Sequence, residues 1–190
     1  MATINLLKTF PSIALIILSV LIANPVFAQN TGDSTDRQFH DDLLDHFIGK
    51  WDVDAMVHGQ KFTLDLEAAW VMDHQYLHIR FKSHEVIPWL KIPFEGEYFF
   101  GYNRLSKRYA VHEFNVHGEA RVETFFYADR IDNEFKLTKK IIGTDSLIVQ
   151  RFTWEPASNS WRNESRLLVD GKEGTVYINM KLVAIKPPSE

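Results

Sequence analysis

Lys61-Phe62-Thr63-Leu64-Asp65-Leu66-Glu67-Ala68-Ala69-Trp70-Val71-Met72, then Asp73-His74, then Gln75-Tyr76-Leu77-His78-Ile79-Arg80-Phe81-Lys82, is the stretch that decides the fold. Apolar residues recur at every second position on both sides of a polar dipeptide, which is the period of a half-buried β-hairpin. If Asp73-His74 is the turn, Glu67 faces Arg80 and Asp65 faces Lys82, placing opposite charges together on the outer face. The inner face then carries Leu64, Leu66, Ala68, Trp70, Leu77, Ile79 and Phe81.

Working outward, the same period runs from Trp51 to the C-terminal region. Ten runs can be drawn, at roughly 50–58, 61–72, 75–85, 94–102, 109–116, 119–129, 135–142, 146–155, 161–169 and 174–185. Strands so closely spaced form an antiparallel meander, not βαβ units, and a meander of this length loses both edges by closing into a barrel. The fold expected is all-β, a ten-stranded up-and-down barrel. Ahead of it, Phe39, Leu43, Leu44, Phe47 and Ile48 recur at helical spacing, so a short amphipathic helix is expected up to about Ile48, ended by Gly49.

Applied strand by strand, the alternation separates two walls. Trp51, Val53, Ala55 and Val57 with Val176, Ile178, Met180, Leu182 and Ala184 extend the apolar inner face. The middle strands instead turn Phe94, Tyr98, Phe100, Tyr102, Tyr109, Val111, Glu113, Asn115, Val122, Thr124 and Phe126 inward. Later strands add Leu137, Lys139, Ile141, Ile148, Gln150, Phe152, Trp154, Trp161, Asn163, Ser165 and Leu167, with the eighth strand's register open by one residue. Glu113, Lys139, Gln150, Asn163 and Ser165 are thus polar groups on otherwise apolar faces. Glu95, Glu97, His112, Arg121 and Glu123 fall on the solvated face, where His112 is expected opposite Glu123 as a cross-strand ion pair.

The chain of 190 residues, with 45% hydrophobic residues and no cysteine, suits one domain with a core of its own. The missing cysteine excludes disulfide staples, thiol nucleophiles and Cys-ligated metal centres. Residues 1–28 read as a secretory signal peptide. Lys8 is the positive n-region, Ile13 to Ile22 the apolar run, and Val26-Phe27-Ala28 the cleavage site. The alternative is an N-terminal membrane anchor, but the run falls short of the ~20 residues a span needs. Residues 29–38 read as a flexible linker and 39–186 as the barrel domain, periplasmic or secreted, with no transmembrane segment after cleavage. The net charge of −4 argues against nucleic acid as a partner.

The histidines do not have metal-site spacing. His78 and His84 lie ~20 Å apart along one strand, too far to share an ion. No G-x-S-x-G elbow or phosphate-cradling glycine loop is present. No metal or cofactor is expected. The ligand-binding set read from the pattern is Glu113, Lys139, Tyr98, Tyr109, Gln150, Trp154, Trp161 and Asn163, lining one cavity with the charged groups at its polar end. A charge buried alone is costly, so Glu113 and Lys139 need partners, water or a ligand. Val86 to Pro93, with two prolines, is either a lid over the barrel mouth, a membrane-touching loop, or a linker packed on the barrel end.

Gly49-Lys50-Trp51 at the helix-to-strand junction resembles the G-x-W signature of lipocalins and the wider calycin group. Phe94-Glu95-Gly96, Phe100-Gly101-Tyr102-Asn103 and Tyr109 are similar to a longer pattern in an uncharacterised bacterial domain-of-unknown-function family with calycin-like barrels. The resemblance covers most of residues 43–185. It implies the barrel, with Trp51 packed over the closed end, but no established reaction. A late basic residue on that Trp is a further lipocalin mark, for which Arg166 and Lys181 are the candidates. Haem barrels of this kind would use a late-strand His, and no His follows His117. The reading that results is an exported barrel binding an apolar or amphipathic small molecule. Two alternatives stand beside it: an isomerase or hydrolase using Glu113 and Lys139, and a structural or partner-binding barrel with a filled core.

Overall fold

The two-residue period becomes ten antiparallel strands in the computed structural model, which describes residues 38–118 and 121–185. They are β1 (Gly49–Val57), β2 (Gln60–Val71), β3 (Tyr76–Ile87), β4 (Ile92–Asn103), β5 (Arg108–Asn115), β6 (Phe125–Ile131), β7 (Glu134–Lys140), β8 (Leu147–Glu155), β9 (Ser160–Val169) and β10 (Lys172–Ala184). Each pairs with its neighbour in sequence, and β1 also pairs with β10, so the sheet closes. Closure satisfies the backbone groups that an open edge would leave unpaired. The expected signal peptide and nearly all of the expected linker lie outside the described residues.

The deciding hairpin has the expected register, Glu67 opposite Arg80 and Asp65 opposite Lys82. Trp51, Leu66, Ile79 and Phe81 are buried inside, Trp70 packs against the same core, and Arg80 and Lys82 are exposed outside. Across β4, Arg80 donates to Glu95 at 2.5 Å and Lys82 lies 3.6 Å from it, continuing the outer ladder of charge. The eighth strand settles with Ile148, Gln150, Phe152 and Trp154 inward, Gln150 lying opposite Leu137 and Ser165.

Gly96 faces inward opposite Phe81, and a Cβ there would come within 2.9 Å of the Phe81 ring. The missing side chain is what lets that ring lie against the sheet.

Three expectations need correction. The sixth strand starts at Phe125, with Val122 making only an isolated bridge to Ile141. The Asn115 side chain accepts from the His117 N–H at 2.9 Å and turns the chain out of β5 early, so His112 faces Phe125 and not Glu123. In β10 a bulge opposite Arg166 breaks the alternation. Tyr177, where the period puts Val176, therefore reaches the interior.

The helix is the third. Helix α1 covers only Asp42–Asp45. The next N–H groups, of His46, Phe47 and Ile48, bond three residues back instead of four, tightening the chain into a 3₁₀-like turn. Asp41 caps the helix, accepting from Leu43 N at 3.0 Å and Leu44 N at 2.8 Å. Short as it is, this segment plugs one end of the barrel. Three indoles hold it: Trp51 donates to Phe47 O at 2.7 Å, Trp70 to Asp45 at 2.7 Å and Trp161 to His46 O at 3.2 Å. Phe47 stacks on Trp161 at 3.8 Å and His46 on Trp154 at 4.3 Å. Neither basic candidate joins Trp51. Arg166 bonds Gly174 O and Glu164 toward the other end, and Lys181 pairs across the sheet with Asp54.

Candidate functional site

Above the plug the barrel holds a cavity of about 350 Å³. Its two walls differ as the sequence pattern anticipates. Strands β1, β2, β3 and β10 supply an apolar wall that includes Val53, Ala55, Leu66, Ile79, Met180 and Leu182. Tyr98 on β4, Glu113 on β5, Lys139 on β7, Gln150 on β8 and Ser165 on β9 form a polar stripe opposite. At the mouth, Trp89 from the β3–β4 connection packs edge-on against Phe62 at 5.8 Å. His58 stacks on Tyr177 at 5.4 Å, and Phe94 lies 6.0 Å from His117. The exposed Arg121 and Glu123 complete the rim.

Apart from Ser165, the stripe is joined by a chain of hydrogen bonds that runs in both directions from Lys139. The Asn115 amide donates to Glu113 Oε1 at 3.0 Å. Lys139 Nζ donates to Glu113 Oε2 and, at 3.0 Å, to the Tyr98 hydroxyl. Tyr98 in turn donates to Gln150 Oε1 at 3.2 Å, Gln150 to Asn163 Oδ1 at 3.3 Å, and Asn163 to the backbone carbonyl of Arg151 at 3.1 Å. Each of these bonds beyond Lys139 runs the same way, away from the ion pair.

Side-chain exposure is 6% at Lys139 and 13% at Glu113, so solvent screens this pair little. Burial works against the Lys139 ammonium, but the Glu113 carboxylate, with the hydrogen bonds to Glu113 and Tyr98, outweighs it and raises the pKa above the ordinary lysine value. The ammonium also lies over the rings of Tyr98 and Phe126, at 5.0 and 4.9 Å from their centroids. Burial, helped by the charge on Glu113, pushes the Tyr98 phenol up to about 12. At neutral pH the stripe therefore holds an ammonium and a neutral phenol.

Of the residues the sequence pointed to, Glu113, Lys139, Tyr98 and Gln150 meet at the cavity. Asn163 is fully buried behind Gln150 as a supporting partner. Tyr109, Trp154 and Trp161 are drawn instead into the plug: Trp154 and Trp161 lie under His46 and Phe47, while Tyr109 donates to Asp41. That segment fills the barrel end, so side chains at that depth meet its rings and not open space. The charged pair lines the cavity beside Tyr98 and Gln150. Asn115 shares the inward period of Glu113 and was legible on that ground, whereas nothing in the alternation marks Tyr177.

Compared with known proteins, the chain matches no family model and no curated protein. The fold and cavity define its class as a closed ten-stranded antiparallel β-barrel with a plugged end.

Proposed function

We propose that this barrel binds one small amphipathic molecule, its apolar body against the β1–β3 and β10 wall and its polar head at the Glu113–Lys139 pair. The carrying observation is that a nearly buried ion pair faces a cavity of about 350 Å³ instead of close-packed side chains. Pockets of this size, mostly apolar with a few convergent polar groups, suit small ligands. Burying the body removes apolar surface from water at ~25 cal/mol per Å². Catalysis by Glu113 and Lys139 is the second reading. It gains from the same juxtaposition, but Glu113 favours the protonated form of Lys139 and so keeps that amine from acting as a base near neutral pH.

The kinship with calycin-like bacterial barrels belongs to this proposal, on the motifs around Trp51 and Gly101. So does export to the periplasm or medium, on the leader pattern of residues 1–28.

Binding of the neutral fluorophore N-phenylnaphthylamine tests the cavity reading. A saturable, one-to-one fluorescence gain is expected, lost when Ala55→Phe fills the apolar wall while the β circular dichroism stays unchanged. Unsaturable uptake, or uptake indifferent to that substitution, would overturn it.

A further inference from the structure

We infer that the molecule in the cavity carries an uncharged head that both donates and accepts hydrogen bonds, a hydroxyl or a primary amide, and is neither a carboxylate nor an amine. This rests on the binding reading above and deepens it.

The direction of the hydrogen-bond chain locates the head. Tyr98 accepts from Lys139 and donates to Gln150, and Gln150 and Asn163 pass the same sense on to the Arg151 carbonyl. These protons are committed to the next partner down the chain. Capacity remains at the other end. It remains also on the Ser165 and Tyr177 hydroxyls and the second Gln150 N–H, all on uncharged groups that line the same cavity. An ammonium has three donors. Among the described residues, the Lys139 bonds go to Glu113 and Tyr98, leaving one N–H. A carboxylate offers about four acceptor positions. Those of Glu113 are met by Asn115 and Lys139, one on each oxygen, so further lone pairs remain. A spare donor and a spare acceptor thus lie side by side on the cavity wall.

Charge decides what can fill them. The pair is already neutral overall. A carboxylate drawn to Lys139 would sit beside Glu113, and two carboxylates sharing a dry site cannot both ionise without penalty. An alkylammonium drawn to Glu113 meets Lys139 in the same way. Arg121 and Glu123 lie at the exposed rim, one of each sign, where solvent screens them, so the rim does not tip the balance. A hydroxyl or amide accepts from Lys139 and donates to Glu113 and adds no charge. It satisfies both vacancies at once.

Calorimetric titration of the full-length protein with decanol, decanamide, decanoate and decylammonium, which share one apolar body, tests this at neutral pH. Decanol and decanamide should bind at least tenfold tighter than either ion. In Glu113→Gln the ratio of decanoate to decanol affinity should rise at least tenfold, because Lys139 then lacks its anion. Decanoate or decylammonium binding as tightly as decanol to the unaltered protein would overturn the inference about the head and leave the cavity reading standing. Saturable binding by none of the four would overturn both. If Glu113→Gln does not fold, the ranking on the unaltered protein decides alone.

Discussion

Tyr98 and Tyr109 are both inward tyrosines on neighbouring strands, and each hydrogen-bonds a charged side chain, yet the two clusters around them do different things. At the plug, Tyr109 and Arg130 both donate to Asp41, and Arg130 also grips Asp42 at 2.7 Å. The other Asp41 oxygen caps α1, so the whole cluster fastens the plug to β5 and β6. Burial and the bond to Asp41 raise the Tyr109 pKa, and the two aspartates raise that of Arg130 against a smaller effect of burial. Around Tyr98 no helix end is satisfied and no terminal segment is anchored. The charges face open volume. A buried ion pair gives no reliable net stability. Such a pair has no local backbone task here, and the ligand proposed above would give it one partner more.

That contrast can be broken most directly by removing charges in pairs. Lys139→Met should destabilise the barrel by ~3–5 kcal/mol, because it strands the Glu113 carboxylate, and Glu113→Gln/Lys139→Met should recover most of the loss. Urea unfolding of both variants measures it, and a double variant as unstable as the single one would make the cavity cluster a structural brace after all. Asp41→Ala should cost about 2 kcal/mol through the lost cap and the partners it leaves. Here adding Arg130→Met should give no recovery, since the Leu43 and Leu44 N–H groups stay uncapped.

A smaller effect appears in alkali. The Tyr98 phenol is raised from 10.0 to about 12, so between those values the folded protein holds a proton that the unfolded chain has lost. Stability should therefore fall as pH rises through this window, by on the order of 1–2 kcal/mol for this group. Denaturant titrations at pH 9 and 12 should show a shallower fall in Tyr98→Phe than in the unaltered protein. An equally steep fall would remove Tyr98 as the cause. The smallest effect on stability is expected at the rim. Trp89 is 48% exposed, and Trp89→Ala should change stability by no more than ~0.5 kcal/mol. It should nonetheless weaken decanol binding several-fold in the same calorimetric titration, because it opens the mouth beside Phe62.

The faces of the barrel were legible in the sequence because a strand's side chains alternate strictly. Once the Asp73-His74 turn fixed Glu67 opposite Arg80, most later inward residues followed by counting in twos, Glu113 and Lys139 included. Counting failed where the backbone left that period. The bulge in β10 exchanged Val176 for Tyr177, and the early turn after Asn115 moved the partner of His112 from Glu123 to Phe125. Neither irregularity is encoded in hydrophobicity.

What the sequence by itself determined is which side chains point inward. Depth along the barrel was decided only by the tertiary structure. Tyr109, Trp154 and Trp161 have the same inward alternation as Tyr98 and Gln150, but they lie at the level where residues 39–47 fold back across the opening. That segment is far from all three in the chain, and the Trp161 and Tyr109 hydrogen bonds that hold it join residues 115 and 68 positions apart. Alternation is a local property of one strand. Whether an inward residue meets a plug or a cavity depends on contacts between distant parts of the chain, and a period of two carries no information about them.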